Sequence, residues 1–242
     1  IGAGGLGSPA LLYLAAAGVG TLGVVDDDAV DLSNLQRQII HDTAAIGRAK
    51  TDSARDRLAA VNPDVEVETH TGRVTRETVM DLVRGYDLVL DGSDNFPTRF
   101  LVNDACYLAG KTLISAAIMR FDGQLSTFKA HLRRAEAPHE HPCYRCIFGA
   151  QPPDPKQSCA DVGVLASLPG TLGALQATEA IKEILGIGDS LSGWLLLYDA
   201  LSTTVRKIRV KADPACPLCG PRATIRDLDS VSYRERAASC AL

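Results

Sequence analysis

Hydrophobic residues follow two spacings along the first half of the chain, one typical of helices and one typical of buried strands. Apolar residues three and four positions apart predict helices, and short apolar runs bounded by polar residues or glycine predict strands. The predicted helices cover residues 8–17, 51–61, 75–84 and 96–109, and the predicted strands cover 21–25, 65–69, 87–90 and 113–117. This alternation favours an α/β fold with a doubly wound, Rossmann-like and mostly parallel sheet.

The pattern changes in the second half, where predicted strands follow one another more closely. Residues 120–130 have the pattern of a hairpin that turns at Asp122-Gly123, because Asp-Gly is a frequent turn dipeptide. The other predicted elements are a proline-rich loop at 151–156, a helix at 163–185, and strands at 194–198 and 204–211. We therefore expect a C-terminal mixed or antiparallel extension of the sheet.

The predicted elements fit one domain over residues 1–220, followed by a charged tail at 221–242 that carries no motif. A chain of 242 residues with 46% hydrophobic residues is long enough for one continuous core. Ile1 falls on the last position of an expected strand. We therefore expect that an N-terminal segment is missing from this sequence.

Composition and charge argue against nucleic-acid and membrane partners. The formal net charge is -4, so no overall basic field attracts a polyanion or an anionic lipid surface. The longest apolar stretch, residues 9–25, is interrupted by three glycines, and no basic segment precedes it. It is therefore neither a membrane span nor a signal peptide, and we expect a cytoplasmic protein.

A glycine turn near the start of the chain predicts a nucleotide site. Gly2, Gly4 and Gly7 form a G-x-G-x-x-G pattern before a predicted helix, and Asp26 ends the next predicted strand. Glycines let the backbone approach a phosphate or ribose closely, and a carboxylate at this position suits ribose hydroxyls. The motif alone does not distinguish ATP from NAD, and glycine turns also occur without a ligand.

Two cations shortly after this turn favour a triphosphate. Arg37 lies in the segment 31–38, and Lys50 directly precedes a predicted helix. A guanidinium can bind two phosphate oxygens at once, and a lysine ammonium can follow charge as it develops on phosphate. The alternative is that both are solvated surface charges.

A third polar group follows the strand predicted at 87–90. Asp94 lies at the carboxyl edge of the expected sheet, where folds of this class bind ligands. Its carboxylate suits Mg²⁺ bridging triphosphate oxygens. The alternative role is an N-cap for the next helix, and the two roles are compatible.

Four of the seven cysteines form two C-x-x-C pairs, which together predict a structural zinc site. The pairs are Cys143 with Cys146 and Cys216 with Cys219. Tetrahedral Zn²⁺ binds four thiolates and would join the end of the chain to its middle. Two redox pairs or a chance occurrence are the alternatives.

The chain resembles the MoeB/ThiF family of ubiquitin-activating-type adenylyltransferases in the order of these motifs. The resemblance extends over nearly the whole chain to about Gly220, and its most diagnostic part is the string from Ser33 to Gln38. The resemblance implies ATP, Mg²⁺ and structural Zn²⁺ as cofactors. The residues that it places in contact with ATP, together with the glycine turn, are Gly2, Gly4, Gly5, Gly7, Asp26, Ser33, Asn34, Leu35, Gln36, Arg37, Lys50, Asp94 and Asn95.

The resemblance also implies a reaction and its partners. Family members adenylylate the C-terminal Gly-Gly end of a small β-grasp sulfur-carrier protein, receive sulfur from a separate donor, and are typically homodimers. In some members a cysteine at the position of Cys159 forms a thioester or persulfide link with the carrier, whereas in others the chemistry stops at the adenylate. Cys159 is therefore either a nucleophile or an incidental loop thiol. An arginine from the N-terminal segment usually reaches the partner subunit's active site, and this sequence lacks that segment.

Several alternatives to this function stay open at the level of the sequence. The resemblance in residues 143–146 and 198–200 implies a carrier for molybdopterin, with a ThiS-type carrier for thiamine as the alternative. An NAD-dependent oxidoreductase would share the glycine turn, but it leaves the two cations and the cysteine pairs unexplained. A scaffold with a decayed site and an enzyme that adenylylates a tRNA-bound carboxylate are two further alternatives.

Overall fold

The computed structural model describes residues 1–137, 139–151 and 163–233, and these confirm the predicted α/β class. The helices are α1 Gly7–Ala16, α2 Lys50–Val61, α3 Arg76–Arg84, α4 Phe96–Ala109, α5 Tyr144–Phe148 and α6 Ser167–Leu185. The strands are β1 Thr21–Asp26, β2 Glu66–Thr71, β3 Leu88–Asp91, β4 Thr112–Met119, β5 Asp122–Phe128, β6 Trp194–Asp199 and β7 Thr204–Arg209. Within these ranges, no helix combines the length and the hydrophobicity that a membrane span requires.

The strands form a parallel part and an antiparallel extension. β1 pairs with β2 in parallel, and β3 pairs with β4 in parallel. The second of these pairs continues as a five-stranded sheet of order β3-β4-β5-β6-β7, in which every further pairing is antiparallel. The C-terminal extension predicted from the sequence is therefore confirmed, and it is continuous with the part of the sheet that carries β3.

The first two residues bridge the carboxyl ends of β1 and β3. Gly2 N donates to Val25 O at 2.8 Å, and Gly92 N donates to Ile1 O at 3.0 Å. A cavity of about 1030 Å³ extends from this bridge along both strands. Ile1 and Gly2 thus fix the spacing of the two strand ends that carry the polar candidate residues.

Helix α6 packs across the sheet and joins its parts. Leu168 and Leu172 are buried in the core cluster that also contains residues of α1, β1 and β4. Gln176 Nε2 donates to Asp91 O and to Ile114 O, both at 2.9 Å. This buried amide ties α6 to the last residue of β3 and to the first half of β4, so it fixes the carboxyl end of β3 against α6.

The predicted turn at Asp122-Gly123 is wrong, because both residues belong to β5. Met119 pairs with Asp122, so the turn consists of Arg120 and Phe121, and Arg120 takes a positive φ of 53°. Gly123 has a packing role, since an added Cβ would lie 2.7 Å from Leu172 Cδ2 of α6. The glycine therefore permits close approach of helix and strand, and it does not mark the hairpin turn.

Candidate nucleotide site and cysteine cluster

The glycine turn, the end of β1 and the end of β3 meet around a cavity of about 330 Å³. Most of the predicted contact residues line it, namely Gly2, Gly4, Gly5, Asp26, Asn34, Arg37, Lys50, Asp94 and Asn95. Four of the predicted residues, Gly7, Ser33, Leu35 and Gln36, lie outside its lining. The structure therefore brings together Asp26, the two cations and Asp94, the proposed magnesium ligand.

Asp26 ties the glycine turn to the end of β1. Ala3 N donates to Asp26 Oδ2 at 2.8 Å, and Asp28 N donates to Asp26 Oδ1 at 2.9 Å. Each carboxylate oxygen can accept a further hydrogen bond, so this arrangement is compatible with ribose hydroxyls. Gly7 serves packing, because an added Cβ would lie 1.8 Å from Gly2 O.

A short 3₁₀ turn, Leu32–Asn34, positions Asn34 and Arg37. Asp31 caps this turn, because its Oδ1 accepts from Ser33 N at 2.8 Å and from Ser33 Oγ at 2.5 Å. These hydrogen bonds lower the pKa of Asp31. Arg37 Nη2 donates to Asn34 Oδ1 at 2.6 Å. This hydrogen bond orients the guanidinium at the cavity.

Lys50 is the first residue of α2, and its side chain is only 5% exposed. Its ammonium lies 2.7 Å from Asp28 Oδ2, a carboxylate that is itself 66% exposed. The alternative of a solvated surface charge is therefore wrong for Lys50. A buried ammonium needs an anionic partner, and here that partner stands at the rim of the cavity.

The N-cap of α4 is Asn95, and the expectation that Asp94 caps this helix is wrong. Asn95 Oδ1 accepts from Thr98 N at 2.9 Å, because Asn95 immediately precedes the first helical residue. Asp94 is exposed, and its Oδ1 accepts a long bond of 3.4 Å from Asn95 Nδ2. Its carboxylate is therefore accessible to a cation in the cavity.

Positive and negative side chains are balanced around the cavity. Its cationic lining residues are Arg37, Lys50, Arg73, Arg76 and Arg99, and its acidic lining residues are Asp26, Asp27, Asp28, Glu77 and Asp94. The described part of the lining therefore offers a triphosphate little net positive charge. A divalent cation beside Asp94 would add the positive charge that a triphosphate requires, because Mg²⁺ is usually bound by one or two carboxylates plus phosphate oxygens.

Asp91 holds the loop that carries Asp94, and sequence reasoning missed this role. It is fully buried, and its Oδ1 accepts from Ser93 N at 3.0 Å and from Ser93 Oγ at 2.6 Å. Its Oδ2 accepts from Ser115 Oγ of β4 at 2.9 Å. The only sequence signal for this role was an acidic residue at the end of an apolar strand.

His41 hydrogen-bonds to the glycine turn, and the sequence did not indicate this role. Its Nε2 lies 2.9 Å from Ala3 O, and its Nδ1 lies 2.9 Å from Ser53 Oγ of α2. A carbonyl oxygen can only accept, which assigns the proton to Nε2. Burial lowers the pKa of His41. The neutral ring therefore connects the glycine turn to the helix that begins with Lys50.

The four paired cysteines converge at the beginning of α5. Cys143 Sγ lies 3.8, 3.6 and 3.3 Å from the sulfurs of Cys146, Cys216 and Cys219. These separations exceed a disulfide bond and are close to the roughly 3.8 Å expected between ligands of a tetrahedral zinc tetrathiolate. The donor set and its spacing fit Zn²⁺, and the complete set of four ligands leaves zinc an architectural role.

Arg133 holds the second cysteine pair against the first. Its Nη1 donates to Cys219 O at 2.7 Å, and its Nη2 lies 3.2 Å from Cys219 Sγ. The same guanidinium donates to Glu140 O and His141 O, on the segment just before Cys143. A cation here compensates the negative charge that a tetrathiolate site would carry.

The remaining cysteines divide into a core residue and two positions outside the described residues. Cys106 is buried in α4, as predicted, and burial raises the pKa of its thiol. Cys159 and Cys240 lie outside the described residues. The role of Cys159 as a nucleophile therefore stays a prediction.

Comparison with known proteins places this chain in a family. The model of the ThiF family matches residues 1–218. This chain belongs to the ThiF family. The resemblance drawn from the glycine turn, the string from Ser33 to Gln38 and the cysteine pairs is thereby confirmed.

Two curated ThiF-type relatives are similar over most of their length. The sulfur carrier protein adenylyltransferase of Thermus thermophilus is 50% identical over 94% of this chain and 83% of the relative. The SAMP-activating enzyme E1 of Haloferax volcanii is 45% identical over 100% of this chain and 85% of the relative.

A solved structure shares the fold at lower identity. Escherichia coli MccB, crystallised with AMPCPP and MccA, superposes with a TM-score of 0.76 at 20% identity. The match covers 91% of this chain and 65% of MccB. This chain therefore spans about two thirds of the MccB chain, and the likeness concerns the fold.

Proposed function

We propose that this chain transfers the adenylyl group of ATP to the C-terminal glycine carboxylate of a small β-grasp sulfur-carrier protein. The observation that carries the proposal is the convergence of Arg37, Lys50 and Asp94 on one cavity beside the glycine turn. Membership of the ThiF family and the name of the Thermus thermophilus relative support the same reaction.

In the proposed reaction, a carboxylate oxygen of the carrier attacks the α-phosphorus of ATP. The bond from the α-phosphorus to its bridging oxygen breaks, and pyrophosphate leaves with the electron pair. The attacking carboxylate is already ionised, so the step needs no general base. The main barrier is the approach of two negative groups, which positioning and positive charge can lower.

The two cations have complementary roles in this proposal. Arg37 is oriented by Asn34 and supplies paired N–H donors to phosphate oxygens. Lys50 starts from an ion pair with Asp28 and moves toward the leaving pyrophosphate as negative charge accumulates there. Asp94 would hold Mg²⁺, which would supply positive charge to offset that of the phosphates.

The finer parts of the proposal concern partners and setting. The enzyme acts in the cytoplasm as a homodimer, and a separate donor supplies sulfur to the adenylated carrier. The carrier serves molybdopterin synthesis, with a ThiS-type carrier as the alternative, and ends in Gly-Gly. Cys159 is the candidate for a covalent link to that carrier, and the cysteine cluster binds structural zinc.

Mass spectrometry of the carrier tests the reaction and its partner together. Wild-type enzyme, ATP and Mg²⁺ are incubated with molybdopterin-type and ThiS-type carriers ending in Gly-Gly, and the masses of the intact carriers are measured. We expect one adenylyl group on the accepted carrier and none on the same carrier without its last glycine. Adenylylation of neither carrier type, or of the truncated form equally well, would contradict the proposal.

A further inference from the structure

The C-terminal segment contributes to the wall of the nucleotide cavity. Tyr233 lines this cavity together with Val74 and Leu101. These apolar residues belong to one packed cluster, in which Val74 and Leu101 are buried and Tyr233 is partly buried. The cavity therefore has an apolar wall in addition to the polar groups supplied by Arg37 and Lys50.

Asp104 fixes the position of Tyr233 on this wall. The Tyr233 hydroxyl donates to Asp104 Oδ2 at 2.7 Å, and Asp104 is fully buried. Arg145, which lies between two of the clustered cysteines, donates to both oxygens of Asp104 at 2.8 and 2.6 Å. Burial and the neighbouring carboxylate raise the pKa of Tyr233, so the phenol stays protonated and keeps this bond.

The residues before Tyr233 are packed along their course. Ile225 N donates to Pro217 O at 2.9 Å, and Ile225 belongs to the cluster that contains the cysteines. Leu228 is buried in the same cluster as Val74 and Leu101. The segment 221–233 thus runs from the second cysteine pair to the nucleotide cavity, with anchors at both ends.

We propose that Tyr233 binds the purine base of the nucleotide and that Asp104 is its positioning residue. The inference rests on the proposed use of ATP. An aromatic ring offers a flat apolar surface on which a base can stack. With its hydroxyl bonded to Asp104, the ring presents that surface at the apolar wall, while Arg37 and Lys50 take the phosphates.

Binding of two ligands that share phosphates but differ in the base tests this assignment. ATP and inorganic tripolyphosphate are titrated calorimetrically, with Mg²⁺, into wild type, Tyr233→Ala, Tyr233→Leu and Tyr233→Phe. Loss of a stacked base should weaken ATP binding by about tenfold or more in the alanine variant. Tripolyphosphate affinity should stay within about twofold of wild type, because Tyr233 does not contact the phosphates.

The other variants keep the test decisive if alanine impairs folding. Tyr233→Leu retains apolar volume without the aromatic face and should lose ATP affinity to the level of the alanine variant. Tyr233→Phe keeps the aromatic face but loses the bond to Asp104, so its ATP affinity should lie between those of Tyr233→Leu and wild type, with tripolyphosphate affinity unchanged. Equal ATP binding by wild type and Tyr233→Leu would overturn the inference. A parallel loss of ATP and tripolyphosphate would also overturn it, by showing that Tyr233 only supports the fold. Wild type that binds neither ligand would instead contradict the proposed function.

Discussion

Replacing Asp94 with alanine is expected to reduce carrier-dependent exchange of pyrophosphate into ATP by at least about 100-fold. Within the described residues, the cavity lining holds as many acidic as basic side chains, so we expect triphosphate binding to need a divalent cation. Asp94 is an exposed carboxylate in the lining, three residues beyond the end of β3, and we propose that it holds this cation. The measurement is the initial rate of radiolabel transfer from pyrophosphate to ATP.

The fold should survive this change, which separates chemistry from stability. Asn95, and not Asp94, caps α4. The loop that carries Asp94 is held by the buried Asp91 carboxylate, which accepts a hydrogen bond from Ser93 N. The melting temperature of Asp94→Ala should therefore match wild type. Asp64→Ala, at an exposed aspartate outside the cavity, is the matched control and should retain full exchange. An Asp94→Ala enzyme with undiminished exchange would remove Asp94 from the site.

Replacing Cys216 with serine is expected to release zinc and to lower the free energy of unfolding by several kcal/mol, on the order of 5. Zinc bound by the four cysteines would close a long loop, because Cys143 and Cys216 are 73 residues apart in sequence. Three thiolates retain the metal far less firmly than a complete tetrahedral set. Metal analysis and denaturant unfolding measure the two effects.

A thiol that lies outside the cluster provides the control for this prediction. Cys106→Ala removes a buried thiol from α4 and should keep about one zinc per chain. Its loss of stability should come from the core alone and be about 1 kcal/mol. Wild-type protein without zinc, or Cys216→Ser with a full complement, would refute the zinc assignment.

Local sequence patterns predicted the fold well where one periodicity decides the structure. The helices and strands up to β4 follow from apolar spacing, and their bounds shift by only a few residues. The hairpin turn was misplaced because Gly123 has two competing explanations, a turn and a close approach to Leu172. Only the packing of α6 against β5 distinguishes them, and that contact spans a large separation in sequence.

The sequence indicated the individual residues of the candidate site but not the contacts that hold them in place. Arg37, Lys50 and Asp94 were recognisable from residue type and order, and the cavity brings them together. The pairing of Lys50 with Asp28 and of Tyr233 with Asp104 joins residues 22 and 129 positions apart. Such contacts depend on the completed fold, so no local pattern indicates them.

The most direct test of the central claim is pyrophosphate exchange by the wild-type enzyme with and without a carrier. ATP, Mg²⁺ and labelled pyrophosphate are mixed with enzyme alone, with a Gly-Gly carrier, and with that carrier shortened by one glycine. We predict exchange only with the intact carrier, because the attacking group is its terminal carboxylate. Exchange that is absent with every Gly-Gly carrier, or equal with and without one, would contradict adenylylation of a sulfur carrier.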